Sequence, residues 1–227
     1  MTVTDVNVVK SAIFERPDDA NKGTLGSLLC VCGSYGMAGA AVMSAKGALR
    51  TGIGLAKCAL PRSIYPIVAQ TILESVYYPL SENADGRISK VNVPFLVSES
   101  CKSSATLVGC GLGVCDDTLK IVFSLIENST TPLVLDADAL NCVAKQPEIL
   151  LRKKAPIIIT PHPGEMSRLT GLATPLVNAE RERVALDFAQ KYGVVTVLKG
   201  AGTVIASPNG KVLVNPTGNS GMATGGS

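Results

Sequence analysis

The chain has 227 residues, 46% of them hydrophobic and 17% charged, with a net charge of +3. That size suits one α/β domain, or two small ones, and the composition suits a buried sheet covered by helices. The charge is too small to argue for nucleic acid, no basic run exceeds Arg152–Lys154, and with aromatics at only 4% and no Trp a base-stacking platform is not expected.

The opening MTVTDVNVVKSAIF has neither the basic start and apolar core of a signal peptide nor the Arg-rich character of a transit peptide. No apolar run reaches the ~18 residues a membrane span needs. A cytoplasmic protein without membrane partners is expected. Ser27–Cys32 reads as a buried strand, Gly33–Gly36 as a loop, and Met37–Thr51 as a small-residue helix closed by Gly52. Gly54–Leu60 is predicted as strand, Pro61–Gln70 as helix, and 77–94 as a loop with an Asp85-Gly86 turn. Ala105–Val108 is predicted as strand entering the loop Gly109–Gly113, followed by a helix over Asp116–Glu127. Pro132–Leu135 and Pro156–Thr160 read as strands. Thr174–Tyr192 reads as one helix, with Thr174 as N-cap, Pro175 at N1, Gly193 at C′ and an Asp187–Lys191 pair. Val194–Leu198 is a strand, and Thr203–Ala206 and Lys211–Asn215 flank a Pro208–Gly210 hairpin turn. The alternation predicts a mostly parallel sheet with helices on both faces, in one domain over 1–227 with no linker or repeat.

The seven Cys include no C-x-x-C pair, and Cys30, Cys32, Cys58 and Cys110 sit in or beside apolar runs. They read as buried thiols of a reducing compartment. Ligands of open α/β sheets bind at the carboxyl ends of strands, where Gly33–Gly36, Gly109–Gly113, Asp136/Asp138, His162–Glu165 and Lys199–Thr203 collect. Gly109-x-Gly-x-Gly113 is not a dinucleotide fingerprint, and no P-loop motif occurs. Asp138 is either the cap of a helix starting near Ala139 or, with Asp136, a Mg²⁺ ligand beside phosphates. His162, the single His, lies between two prolines that stiffen its loop. Its imidazole is either structural or, with its direction fixed by the prolines, a ligand contact, and Glu165 suits the first turn of the next helix. Lys199-Gly-Ala-Gly-Thr203 is either a hairpin turn or a phosphate contact. The glycine-rich ending PTGNSGMATGGS is either a loose tail or an anion nest.

Taken together, Lys22-Gly-Thr24, Gly39-Ala-Ala41, Gly47-Ala-Leu-Arg50-Thr-Gly52, Asp136-Ala-Asp-Ala-Leu-Asn141, Thr160-Pro-His-Pro-Gly-Glu165, Lys199-Gly-Ala-Gly-Thr203 and Asn215-Pro-Thr-Gly-Asn219 with Gly225-Gly-Ser227 resemble the ADP/ATP-dependent NAD(P)H-hydrate dehydratase family of the ribokinase-like superfamily. The resemblance implies a ribokinase-like fold. It implies repair of hydrated NADH and NADPH by phosphorylation of the hydrate hydroxyl from ADP or ATP, then loss of phosphate. Ala40, Gly111 and His162 would contact the hydrate, and Lys199, Gly200, Ala201, Gly202 and Thr203 the nucleotide. Asn219, Gly225, Gly226 and Ser227 would begin an anion hole. Mg²⁺ is implied, with Asp138 and Glu165 as its candidates. A homo-oligomer is implied as well, with a homotetramer expected. The Lys-Gly-Ala-Gly-Thr form resembles the ADP-using branch. In the family the Gly-Gly-Ser/Thr run continues into Gly-Asp, whose Asp is the catalytic base. Both would fall just beyond Ser227, so the C-terminal part of the domain is expected to be missing and residues 1–227 are expected to turn over little. The alternatives are a related kinase of a hydroxyalkyl vitamin precursor and an inactive nucleotide-binding module.

Overall fold

The structure, a computed structural model, describes residues 2–4, 9–10 and 16–225. The strands are β1 (Thr2–Val3), β2 (Ser27–Val31), β3 (Leu55–Pro61), β4 (Val76–Leu80), β5 (Ala105–Val108), β6 (Leu133–Leu135), β7 (Ile157–Ile159), β8 (Val195–Leu198), β9 (Thr203–Ala206) and β10 (Val212–Asn215). The helices are α1 (Ala38–Thr51), α2 (Tyr65–Thr71), α3 (Val93–Cys101), α4 (Asp116–Asn128), α5 (Asp138–Val143), α6 (Pro163–Thr170), α7 (Thr174–Ala179) and α8 (Arg181–Tyr192).

Among the described residues the ten strands join one sheet in the order β1-β10-β9-β8-β7-β6-β5-β2-β3-β4. Pairing is parallel except at β8–β9 and β9–β10. Two reversals bring β10 back into the direction of β8, so Asn215 ends at the same edge of the sheet as Leu198. The chain runs outward from β2 to β3 and β4, then returns to the other side of β2 as β5. The β2/β5 junction is therefore the point where strand order reverses, which is where open α/β sheets bind ligands.

Side chains of β2 point to opposite faces, as the two-residue period of a strand requires. Leu29 and Val31 join a large core with Val108, Leu125, Leu135, Ile159, Met166, Val184 and Phe188. Cys30 and Cys32 join a smaller one with Ala41, Ala45, Cys58, Leu60 and Val68. Helices therefore cover both faces around β2, with α1 and α2 on the second. Helix α1 buries Ala41, Ala45 and Ala48, whose small side chains admit a close approach, and Gly52 closes it at φ 97°. Along one face of β6–β10 the register aligns Val134 with Ile158 and Val195, and, one pleat further along β8, Val197 with Ile205 and Leu213. These side chains are only half-buried.

Three predicted segments differ. The 77–94 loop contains most of β4 and the start of α3; β4 is an edge strand, which is where a residue such as Pro79 is tolerated. Pro61 closes β3, and α2 begins only at Tyr65. The run 174–192 is two helices, because Glu180 leaves helical geometry at φ −123° and ψ 40°. Ala173 caps α7, so Thr174 is its first residue. Asp187 pairs with Arg183 at 3.2 Å, while Lys191 lies over the Tyr192 ring at 4.9 Å.

Candidate active site

The loops after β2, β5, β6, β7 and β8 leave five adjacent strands at one edge of the sheet. They are tied to one another in sequence along that edge. Gly33 N–H donates to the Cys110 carbonyl at 2.8 Å, and the Ser34 hydroxyl donates to the Gly111 carbonyl at 2.8 Å. Gly113 N–H donates to Asp138 at 2.8 Å, and Lys199 N–H donates to the Pro161 carbonyl at 2.8 Å. The row is thus a continuous shelf built mostly from backbone.

Ala40 and Gly111 meet on this shelf. A Cβ on Gly111 would lie 2.6 Å from the Ala40 methyl, and Gly111 holds φ at +64°. His162 stands as the N-cap of α6. Its Nδ1 accepts the N–H groups of Gly164 at 2.9 Å and Glu165 at 3.4 Å, while Glu165 accepts the His162 N–H at 2.8 Å. This reciprocal cap spends Nδ1 on the backbone and leaves the ring proton on Nε2. The side chain is half exposed, with Nε2 3.5 Å from Glu165.

Lys199–Thr203 forms the turn from β8 into β9, with Gly200 at φ +147° and Gly202 at φ +68°. Thr203 closes it through its hydroxyl, which donates to the Gly200 carbonyl at 3.0 Å. Arg181 braces it from below, donating to the carbonyls of Leu198 at 2.8 Å and Gly202 at 3.5 Å. Sequence reasoning missed Arg181, because its role depends on the break that turns α8 toward β8. The Lys199 ammonium lies 2.7 Å from Asp136, whose same oxygen accepts the Thr160 hydroxyl at 2.7 Å. Burial pushes the Asp136 carboxyl up, but the Lys199 and Thr160 hydrogen bonds outweigh it and hold the group below its ordinary value.

The two carboxylates singled out for metal are already engaged. Asp138 is the first residue of α5, not its cap; Ala137 takes that place at φ 50°, and the Asp138 carboxylate serves Gly113 and Asn141 instead. Glu165 is buried in the α6 cap. Among the described residues no three His, Cys, Asp or Glu side chains converge on a metal position. These donors do not make a protein-only Mg²⁺ site. Asn219 caps the short 3₁₀ turn Ser220–Met222, accepting the Gly221 N–H at 2.9 Å, and Gly225 is exposed. Gly226 and Ser227 lie outside the described residues. No helix among the described residues is long and apolar enough to cross a membrane.

A family model described as NAD(P)H-hydrate dehydratase matches residues 28–227. The chain belongs to the NAD(P)H-hydrate dehydratase family. A bifunctional NAD(P)H-hydrate repair enzyme from Thermofilum pendens is 41% identical over 212 residues, which are 93% of this chain and 40% of that protein. The chain thus spans about two fifths of the length of such bifunctional relatives. The ADP/ATP-dependent NAD(P)H-hydrate dehydratase of Bacillus subtilis, solved after co-crystallization with ATP and Mg²⁺, is 30% identical and superposes with a TM-score of 0.83. That match covers 99% of this chain and 76% of the other. The fold is ribokinase-like: a superfamily protein from Enterococcus faecalis, 22% identical, superposes over 99% of this chain and 75% of its own with a TM-score of 0.83.

Proposed function

We propose that the protein carrying this chain restores NADH and NADPH from their hydrates, using ADP or ATP to turn the hydrate hydroxyl into a leaving group. Family membership supports the reaction class. The observation that carries the reading at this site is the shared shelf: the Ala40–Gly111 contact, the His162 loop and the Lys199 turn belong to one row of adjacent strand ends. Hydroxide is a poor leaving group and phosphate a far better one. The hydroxyl oxygen attacks the terminal phosphorus, its proton is lost, and AMP or ADP departs. The C–O bond then breaks with its electron pair on phosphate, and a proton leaves the adjacent ring carbon. The steps put negative charge on phosphoryl oxygens, which the Lys199 ammonium and the N–H groups of the glycine-rich turn suit.

In this reading Ala40 and Gly111 let the modified nicotinamide lie against backbone, and the half-exposed His162 Nε2–H donates to it. Gly200–Thr203 hold the nucleotide. Asn219, Gly225, Gly226 and Ser227 begin the anion hole. Mg²⁺ would arrive on the nucleotide's phosphates, which supply the oxygens this metal prefers. The free cysteines support a reducing, cytoplasmic setting. Exposed Met43, Ile67 and Leu73 support a homo-oligomer, a tetramer by family resemblance. Residues 1–227 read as part or all of one domain, since both cores share β2.

The test is recovery of NADH absorbance from synthetic hydrated NADH, using the full reading frame that encodes this chain. Recovery should require ADP or ATP and release one phosphate per NADH. Phosphorylation of a hydroxyethyl or hydroxymethyl heterocycle without NADH recovery would favour a vitamin-precursor kinase. Nucleotide binding without either reaction would favour an inactive module.

A further inference from the structure

Asp136 has no place among the hydrate or nucleotide contacts above, yet it is the hub of the shelf. It follows β6, and its carboxylate draws in one residue from beyond each of three other strands. Lys199 Nζ, after β8, donates at 2.7 Å; Thr160 Oγ1, after β7, donates at 2.7 Å; Cys110 Sγ, after β5, donates at 3.4 Å. The side chain is 22% exposed and that of Lys199 is 40% exposed. The carboxylate is therefore set into the sheet end, while the ammonium remains reachable from solvent.

We propose that Asp136 is a positioning residue for phosphoryl transfer: it pins the Lys199 ammonium so that its two remaining N–H groups meet the phosphoryl group in transit. The proposal rests on the reading of Lys199 as a phosphate contact. Lysine is a point charge on a flexible stem, so its direction is undefined until an acceptor fixes it. An ammonium has three donors; the bond to Asp136 uses one and orients the other two. Thr160 in turn fixes the accepting oxygen. The arrangement has a cost in nucleotide affinity, because a carboxylate beside the ammonium repels the arriving phosphates and shares their cation. Asp136 thus favours the geometry of the reaction over the strength of ground-state binding.

This makes a divergent prediction. In the full reading frame, Asp136→Asn should slow NADH recovery about 100-fold, the scale of a misplaced reacting group. It should leave calorimetric ADP and ATP affinity unchanged or up to about tenfold tighter. Added to Lys199→Ala it should cost nothing more, since without the ammonium there is nothing to pin. Thr160→Val, which keeps size and removes one donor, should show a smaller loss in the same direction. Weaker nucleotide binding with an unchanged rate, additive losses in the double variant, or wild-type rates in Asp136→Asn would each overturn the proposal. If Asp136→Asn fails to fold, Thr160→Val carries the test by the same criteria. The nitrogen-15 spectrum of the Lys199 ammonium separates this from the function itself. A protected resonance in the unsubstituted protein that vanishes in the variant supports the clamp even if hydrated NADH proves not to be the substrate. Its absence in the unsubstituted protein overturns the clamp whatever the substrate.

Discussion

Gly109 has a backbone role at the shelf that no other residue can fill. It holds φ at +123°, and a Cβ there would lie 1.9 Å from the Asp136 carbonyl oxygen. Gly109→Ala is expected to destabilise the fold by about 3 kcal/mol or more, the range of a steric clash against fixed backbone, measurable by urea unfolding. His162 combines two duties. His162→Ala should cost about 1 kcal/mol of stability through the lost cap. It should also weaken hydrate binding more than nucleotide binding, by calorimetry with each ligand; equal weakening of both would contradict the assigned contact. Asp136 links the site to acid stability. Its folded pKa lies below the ordinary 3.8. The stabilisation is then complete above that value and lost as pH falls through the folded pKa. The stability gap between the unsubstituted chain and Asp136→Asn should close on acidification below about pH 4. The types and strand-end positions of these residues were legible in the sequence. Their pairing was not: nothing in the chain order says that position 136 reaches position 199 rather than a metal.

At the level of elements, the β-α alternation was legible because buried strands such as Ala105–Val108 are short apolar runs punctuated by glycine. Strand β4 was hidden because it is an edge strand whose Val76–Leu80 run mixes exposed residues, tyrosines and a proline. The break at Glu180 was hidden because the run 174–192 keeps helix-favouring composition straight through it, and only tertiary contact decides the new axis. That break gives Arg181 its grip on the β8–β9 turn. Its burial lowers the guanidinium pKa without displacing the charge from the physiological range. Arg181→Ala should therefore free the carbonyls of Leu198 and Gly202, loosen the 199–203 turn and weaken ADP binding several-fold. Hydrogen exchange of the turn amides and ADP titration would check both effects.

At the level of the whole molecule, the sheet separates what must be fixed from what can vary. The shelf occupies one edge, while the Ser207–Lys211 turn lies at the opposite edge, its Gly210 at φ +92° and its tip exposed. A three-residue Gly-Ser-Gly insertion between Asn209 and Gly210 should change unfolding free energy by less than about 1 kcal/mol and leave ADP affinity intact. The hairpin that this turn closes has one more effect. Strands β8 and β10 run the same way with β9 between them, at roughly 4.8 Å per step. The antiparallel pair therefore works as a ruler, holding the end of β10 about 10 Å along the sheet from the end of β8. Loop sequences at the two ends can drift without altering that gauge, whereas a register slip in β9 would keep the spacing and slide the end of β10 along the strand direction, past the end of β8, by about 3.4 Å per residue.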